Sequence, residues 1–133
     1  MLDVEVIAAP EGPRVPSPRE IVALCEAALH ATGIGEGHVA VEFVDAERIA
    51  TLNAEHRGRP RPTDVLSFPI DGAAPAPGPR ELGDVVICPA HTVDVREAVV
   101  HGALHLAGLD HEVDDGEMLA LQRRVLAGAT AAR

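Results

Sequence analysis

The sequence predicts an α+β fold in which helices cover a mixed four-stranded sheet. Four short apolar segments have strand character, at residues 2–8, 38–45, 64–70 and 84–89. Between and after them lie segments with helical spacing of apolar residues and polar capping residues. This order of strands and helices is typical of a helix layer on a sheet. No repeat and no long linker interrupts the chain, so we expect residues 1–133 to form one domain.

The first helix has the clearest boundaries. After the alternating strand "LDVEVIA", Ser17 is the expected N-cap, Pro18 occupies the first helical position and Glu20 completes a capping box. Gly33 ends the helix, since glycine accepts a left-handed backbone. The predicted buried stripe consists of Ile21, Leu24, Ala28 and Leu29.

A second strand, "HVAVEFVD", places Val39, Val41 and Phe43 on one face. A short helix over 46–56 is expected to follow, with Asp45 as its cap.

The stretch "EHRGRPRPTD" then places three arginines in a short loop, at positions 57, 59 and 61. Such a run fits an ordinary solvated loop, and it also fits a local phosphate-binding patch.

The third and fourth strands flank a loop rich in proline and glycine. "DVLSFPI" suits a sheet edge because Pro69 cannot donate a ladder hydrogen bond. Residues 71–83 are expected to be an exposed loop. The apolar segment "DVVICP" is predicted to be the central strand.

Two helices complete the chain. The helix over 94–108 has Asp94 near its start and Gly108 at its end. The last helix, within 114–129, is amphipathic. Its inward-facing residues are predicted to be Met118, Leu121, Val125 and Leu126.

Composition excludes several classes of protein. Apolar residues make up 47% of the chain, too many for a disordered protein, and Phe43 and Phe68 are the only aromatic residues, so the core must be aliphatic. Cys25 and Cys88 are too few for a disulfide framework, and we expect both to be reduced core residues. No apolar run suits a membrane helix, and "MLDVEVIAAP" does not resemble a signal peptide. We expect a bacterial-type cytoplasmic protein.

The net charge of −10 gives no long-range attraction toward nucleic acid. Nucleic-acid binding would therefore need a local basic patch, for which the arginine loop is the candidate. The scarcity of aromatic residues argues against base stacking as the main source of RNA affinity.

The stretch "HGALHLAGLDHE" is the strongest chemical signal. His101 and His105 lie four residues apart, so a helix presents both on one face. After Gly108 the chain can fold back and bring in His111. Three nitrogen ligands leave a fourth position for water, as in catalytic zinc sites. Surface or core histidines are the alternative explanation for such a pair, but the third histidine and the buried-type leucines around it favour a metal site.

The spacing of these histidines is that of the metzincin proteases, which carry a glutamate directly after the first histidine. Here that position is Gly102, which offers no proton acceptor. Close packing against a neighbouring element would explain the glycine, and so would space for a bulky substrate beside the metal. Under both explanations the usual protease mechanism lacks its base.

The sequence resembles the YbeY family of endoribonucleases at three stretches in the same order. These are "HGALHLAGLDH", "LNAEHRGRPRPTDVLSFP" and "LGDVVICP". There are departures: Leu109 replaces a usual aromatic residue, His56 takes a position that is often tyrosine, and "AHTVD" leaves little room for a helical stretch before the histidine helix.

The resemblance implies a single α+β domain with a metal site at the end of the histidine-bearing helix. It implies a metal-dependent, single-strand-specific endoribonuclease of 16S rRNA 3′-end maturation and ribosome quality control, with ribosomal RNA, the small ribosomal subunit and assembly factors as partners. The implied metal is zinc, one per chain, held by His101, His105 and His111, and the functional arginine falls on Arg57.

Two other classes remain open from the sequence: a metalloprotease-like hydrolase, and a non-catalytic zinc-containing assembly factor. Gly102 argues against the first, and the absence of an obvious fourth ligand argues against the second.

Four polar residues near these motifs have open roles. Asp110 is expected either to accept a ligand imidazole proton or to cap local backbone. Thr63 and Asp64 are expected in turn or capping roles, and Asp84 either in a turn or beside the site. The remaining histidines, expected to be exposed or structural, are His30, His38, His56 and His91.

Overall fold

The computed structural model describes residues 1–71 and 80–131, and its elements follow the predicted order. The strands are β1 (Leu2–Ile7), β2 (Gly37–Phe43), β3 (Val65–Pro69) and β4 (Glu81–Ile87). The helices are α1 (Pro18–Ala31), α2 (Ala46–Arg57), α3 (Val95–Leu106) and α4 (Glu117–Ala131), with a 3₁₀ turn at Pro89–His91 before α3. Most of the predicted proline-rich loop lies outside the described residues.

The four strands form one mixed sheet in the order β1-β2-β4-β3. β1, β2 and β4 run parallel, while β3 pairs antiparallel with β4 at the edge. The predicted edge position of the strand that contains Pro69 and the central position of β4 are both confirmed.

The start of β4 differs from the prediction, which began this strand at residue 84. Glu81 already pairs with His38, and Gly83 lies opposite Pro69. Gly83 has φ +140°, and a Cβ there would lie 2.3 Å from the Phe68 carbonyl oxygen. Glycine therefore permits close approach of the two strands within the sheet, where the sequence pattern indicated a loop.

The two faces of the sheet are covered differently. Helices α1, α3 and α4 pack on one face and form the main core with strand residues such as Val39, Val41, Val85 and Ile87. Helix α2 packs on the other face, where Ile49 joins a smaller core of Leu66, Val86 and Cys88. The predicted α+β fold of a mixed sheet covered by helices is therefore confirmed.

The predicted helix caps are present. The side chains of Ser17, Asp45 and Asp94 accept hydrogen bonds from backbone N–H groups in the first turns of α1, α2 and α3. In α1 the Glu20 carboxylate also pairs with the Arg96 guanidinium on α3.

The end of α2 requires a correction. The helix includes Arg57, and Gly58 ends it in the left-handed conformation with φ 68°. Arg57 is therefore the last helical residue. Its position in the run of arginines had indicated that it lies in the loop, and this prediction was wrong. Because Arg57 belongs to α2, the helix fixes its backbone conformation.

Both cysteines are buried and free, as predicted. Among the described residues, no helix is both long and apolar enough to cross a membrane.

Candidate metal centre

Helix α3 and the turn after it bring the three predicted histidines together. His101 and His105 lie one turn apart with ring centroids separated by 4.7 Å. Gly108, with φ +98°, reverses the chain after the helix. His111 then lies 5.0 Å from His101 and 5.4 Å from His105, measured between ring centroids. The helical spacing and the glycine turn therefore build the cluster that the sequence predicts.

The cluster fits a metal ion. One ligand atom from each histidine lies within 4.8 Å of the others. Two nitrogens bound to one zinc, each at about 2.0–2.1 Å, lie within about 4.2 Å of each other, so small ring rotations would suffice. Nδ1 of His111 is buried without a hydrogen-bond partner, which is costly unless a further ligand satisfies the nitrogen.

Hydrogen bonds orient the other two rings. His101 Nδ1 donates to Gln122 Oε1 at 2.8 Å, which leaves its Nε2 lone pair free. His105 makes a hydrogen bond with the Leu109 backbone. Such outer contacts fix the tautomer of a metal-ligating imidazole. Two of the three rings are thereby set for coordination through one defined nitrogen.

Electrostatics also favours coordination by His105. Burial lowers the pKa of this imidazole, and the neighbouring His101 and His111 lower it further. A neutral imidazole keeps the lone pair that a metal needs. A proton and a metal ion therefore compete for the His105 imidazole, and the lowered pKa already disfavours the proton.

Gln122 is a site residue that the sequence pattern did not reveal. It lies on the buried stripe of α4, one turn after Met118, and is 6% exposed. A polar residue within an apolar helical stripe was the available signal. Its partner, His101, is 21 positions away, so no local spacing could identify the pair.

Gly102 faces the sheet and is buried. A Cβ at this position would lie 2.4 Å from Val85 Cγ1 and 3.3 Å from Ser67 Oγ. Its carbonyl oxygen accepts a hydrogen bond from Ser67 Oγ at 2.9 Å. Close packing is therefore the explanation that the structure favours, and a glutamate side chain at this position would collide with β4.

The histidines open into a cleft of about 670 Å³. One wall of the cleft is formed by β3 and the end of α2, including His56, Arg57, Ser67 and Phe68. Arg59 and Arg61 do not line this cleft. Of the three predicted arginines, only Arg57 shares a cavity with the histidines.

The Arg57 guanidinium is exposed and makes no hydrogen bond or ion pair with the described residues. It is therefore free to contact a ligand. Asn53, 3% exposed, donates from Nδ2 to the Arg61 carbonyl oxygen at 3.0 Å and holds the following loop against α2. The role of this asparagine could not be inferred from the sequence.

The structure gives roles to Asp110 and Asp64, which the sequence had left open. Asp110 Oδ1 accepts from the Glu112 backbone N–H, so Asp110 caps local backbone. Asp64 Oδ1 accepts from the Val65 N–H and the Thr63 hydroxyl, as expected of a turn.

Asp84 lies within β4 and does not line the cleft. Burial, and secondarily Glu81, raises the pKa of Asp84. Its position is therefore neither of the two expected ones.

The other histidines have three kinds of location. His30 and His91 are exposed away from the cleft. His38 bonds Glu81 and Glu5 across the sheet, a structural role. His56 is exposed, but it lines the cleft and lies 4.3 Å from Phe68 between ring centroids.

No fourth His, Cys, Asp or Glu joins the histidine cluster within residues 1–71 and 80–131. Three ligands with no additional protein ligand are typical of catalytic metal sites, whereas structural sites are closed by four.

Comparisons with known proteins show what the chain is similar to. A family model described as endoribonuclease YbeY matches residues 17–130. A relative from Rubrobacter xylanophilus, named endoribonuclease YbeY, is 39% identical over 129 residues, 92% of this chain and 93% of the relative. One of the same name from Alkalilimnicola ehrlichii is 44% identical over 118 residues, 77% of this chain and 71% of the relative. The solution structure of a Thermotoga maritima protein covers 97% of this chain and 90% of its own, with a TM-score of 0.55 and 28% identity.

Proposed function

The chain belongs to the YbeY family, and we propose that it is a metal-dependent, single-strand-specific endoribonuclease. The observation that carries the proposal is a single cleft lined both by the three-histidine cluster and by an arginine that has no partner among the described residues. Such a cleft offers a cation site and an anion-binding group to the same substrate. A phosphodiester matches both.

We propose that His101, His105 and His111 hold one zinc ion per chain. A zinc ion there would supply Lewis acidity toward a phosphodiester and would lower the pKa of water. The protein's own part is to keep the three imidazoles neutral and oriented. Gln122 and the Leu109 backbone support that orientation, and the lowered pKa of His105 supports the neutral form.

Arg57 is proposed to hold a phosphate of the substrate. Its planar fork can donate two parallel hydrogen bonds to phosphate oxygens. Arg57 ends α2 and lines the same cleft as the histidines, which supports this role. The net charge of −10 makes this local contact more important, because the rest of the chain does not attract RNA.

The biological setting belongs to the same proposal. We propose action in the cytoplasm on the 3′ end of 16S rRNA and in ribosome quality control, with the small ribosomal subunit and assembly factors as partners. Residues 1–133 are proposed to act as one metallo-endoribonuclease domain, and the family match over 17–130 supports this.

A metalloprotease activity is the main alternative. It would require a general base after the first histidine, and Gly102 packs too tightly against Val85 for a glutamate to replace it. A protease would therefore need a base from elsewhere in the cleft. The sequence and the packing both favour RNA over a peptide.

The decisive experiment combines metal analysis with two substrates. Purified protein is expected to contain about one zinc per chain and to cleave single-stranded RNA in a chelator-sensitive way. His105→Ala should lose the zinc, the cleavage and the zinc-dependent increase in melting temperature. His30→Ala, an exposed histidine off the cleft, should retain all three.

Unchanged zinc content in His105→Ala would contradict the ligand assignment. Chelator-sensitive cleavage of casein without cleavage of RNA would instead establish the protease alternative.

A further inference from the structure

The wall of the cleft formed by β3 and the end of α2 carries a pair of rings. The His56 and Phe68 ring centroids are 4.3 Å apart, and their planes are inclined by 58°. Phe68 is one of only two aromatic residues in the chain, and it lies at this wall. One of the chain's two aromatic side chains therefore lies beside the candidate metal centre.

The two rings have different surroundings. Phe68 is partly buried and packs against the smaller core under α2. His56 is exposed and lies in the last turn of α2. Phe68 thus fixes the position of the His56 ring, while His56 remains accessible from the cleft. An exposed, supported ring on a cleft wall can bind a flat ligand by stacking.

The neighbouring group indicates which flat ligand fits. Arg57 follows His56 directly, and both side chains line the same cleft. A ring and a phosphate-binding guanidinium at adjacent positions match the base and the phosphate of a nucleotide. An aliphatic amino acid or a lipid headgroup without a ring would use only the arginine, through its carboxylate or phosphate.

The edge of β3 adds hydrogen-bonding groups to this wall. The Asp64 carbonyl oxygen accepts from the Cys88 N–H, and the Ile70 N–H donates to the Leu82 carbonyl. Antiparallel pairing alternates, so the even-numbered residues of β3 bond β4 and the backbone groups of Ser67 point away from it. β3 is an edge strand that lines the cleft, so the Ser67 N–H and C=O are available to a ligand bound in the cleft. One donor and one acceptor side by side suit the polar edge of a nucleobase.

We propose that His56, supported by Phe68, forms a nucleobase subsite in which one unpaired base of single-stranded RNA stacks while Arg57 holds a phosphate. This inference rests on the proposed endoribonuclease function and adds the recognition of a base to it. It confines stacking to one subsite, which is consistent with a chain that has too few aromatic residues for a stacking platform. Preference among bases should be modest, because every base has a face that stacks.

The test uses short single-stranded RNAs in which one nucleotide at a time lacks its base. In the wild type, removing the base at one position near the cleavage site should weaken binding and raise KM by about 5- to 20-fold, with a smaller change in kcat. In His56→Ala the intact RNA should show this same loss, and removal of that base should cost nothing further. His56→Tyr and His56→Phe should restore sensitivity to the missing base, because both present a ring.

Two controls separate stacking from general damage. Glu55→Ala alters an exposed neighbour that does not line the cleft and should behave as the wild type. Zinc content should stay the same in all His56 variants, because His56 is not a ligand in the proposed site.

Equal sensitivity to base removal in the wild type and His56→Ala would overturn the subsite, and so would failure of both aromatic variants to restore binding. Failure of the endoribonuclease proposal looks different. RNA would then bind with the His56-dependent pattern, as measured by fluorescence anisotropy, but would not be cleaved. If the wild type neither binds nor cleaves RNA, both proposals fail.

Discussion

Gly102 illustrates what a single residue type can and cannot indicate. Its place after His101 distinguishes the sequence from metzincin proteases, which carry a glutamate there. The sequence left two reasons for the glycine open, packing or space for substrate. Only the three-dimensional structure brings Val85 Cγ1 to 2.4 Å from the position of a Cβ, because the two residues are on different elements.

We predict that Gly102→Ala destabilises the protein. Alanine would gain about 1 kcal/mol in helix propensity. The forced shift of a β-branched side chain in the core costs about 1–3 kcal/mol, so the net loss should be up to about 2 kcal/mol. Urea unfolding, followed by circular dichroism, measures the difference.

Gly128→Ala is the matched control, since Gly128 is also helical but, among the described residues, no atom beyond its own helix backbone lies within 4 Å of its Cβ position. That variant should be more stable than the wild type by about 0.5–1 kcal/mol. A stabilised Gly102→Ala would mean that β4 yields easily and that packing does not explain the glycine.

The histidine cluster itself was predictable at the residue scale, because helical periodicity and a glycine turn are local. Gln122 and Asn53 were not. Each makes its contact through tertiary structure or through a loop whose path has no sequence signature. Sequence patterns that locate the site residues therefore do not reveal the residues that support them through tertiary contacts.

At the scale of elements, the boundaries of α2 and β4 deviated from expectation for opposite reasons. Arg57 was expected in a loop, because the run of arginines and prolines dominates the local pattern, yet the helix continues to Gly58. Gly83 was expected in a loop, yet it lies in β4 because adjacent strands approach there. Glycine marks a helix end in the first case and a close strand contact in the second, and the sequence alone does not distinguish them.

The position of Arg57 at the end of α2 leads to a prediction for three arginines of equal charge. Arg57→Ala should lower RNA cleavage by at least about 10-fold, and Arg57→Lys should lower it less, because lysine keeps the charge and loses the planar fork. Arg59→Ala and Arg61→Ala should have much smaller effects, since neither residue lines the cleft. Single-turnover cleavage at several salt concentrations measures each variant, and Arg57→Ala should show the shallower salt dependence.

Zinc content and melting temperature should barely change in these variants, because Arg57 has no partner among the described residues. Equal losses in all three alanine variants would indicate a diffuse basic patch. Loss of zinc in Arg57→Ala would assign the arginine to the structure of the site.

At the scale of the whole molecule, the fold was predictable because its signals are redundant. Alternating strands, three capped helices and an edge proline each indicate the same layered arrangement. The distribution of charge over the sheet was not predictable. It depends on the pairing of β1 with β2 and of β2 with β4, which brings Glu5, His38 and Glu81 together from three distant segments.

This carboxylate–histidine group couples stability to pH. The hydrogen bond to Glu81 raises the pKa of His38, and Glu5 adds to the effect. A raised pKa in the folded state means that the folded protein binds the proton more tightly than the unfolded chain does. The stabilisation is therefore complete below the unfolded pKa of about 6.5 and is lost as the pH rises through the folded value.

We predict that the wild type loses stability relative to His38→Gln as the pH is raised from about 6 to about 9, a range that begins near the ordinary histidine pKa. The difference should stay within about 1 kcal/mol, because the partners are partly exposed. Urea unfolding of both proteins at each pH, with chelator present, measures it. The candidate metal centre has the same residues in both proteins, so its contribution cancels in the difference. His91→Gln, which changes an exposed histidine outside the sheet, should follow the wild-type curve at every pH.

A constant difference between wild type and His38→Gln across this range would show that the carboxylate contacts of His38 do not stabilise its proton. Asp84, whose raised pKa stabilises the fold at low pH and whose stabilisation begins to be lost above its ordinary value of 3.8, is present in both proteins and so does not account for the predicted change in the difference.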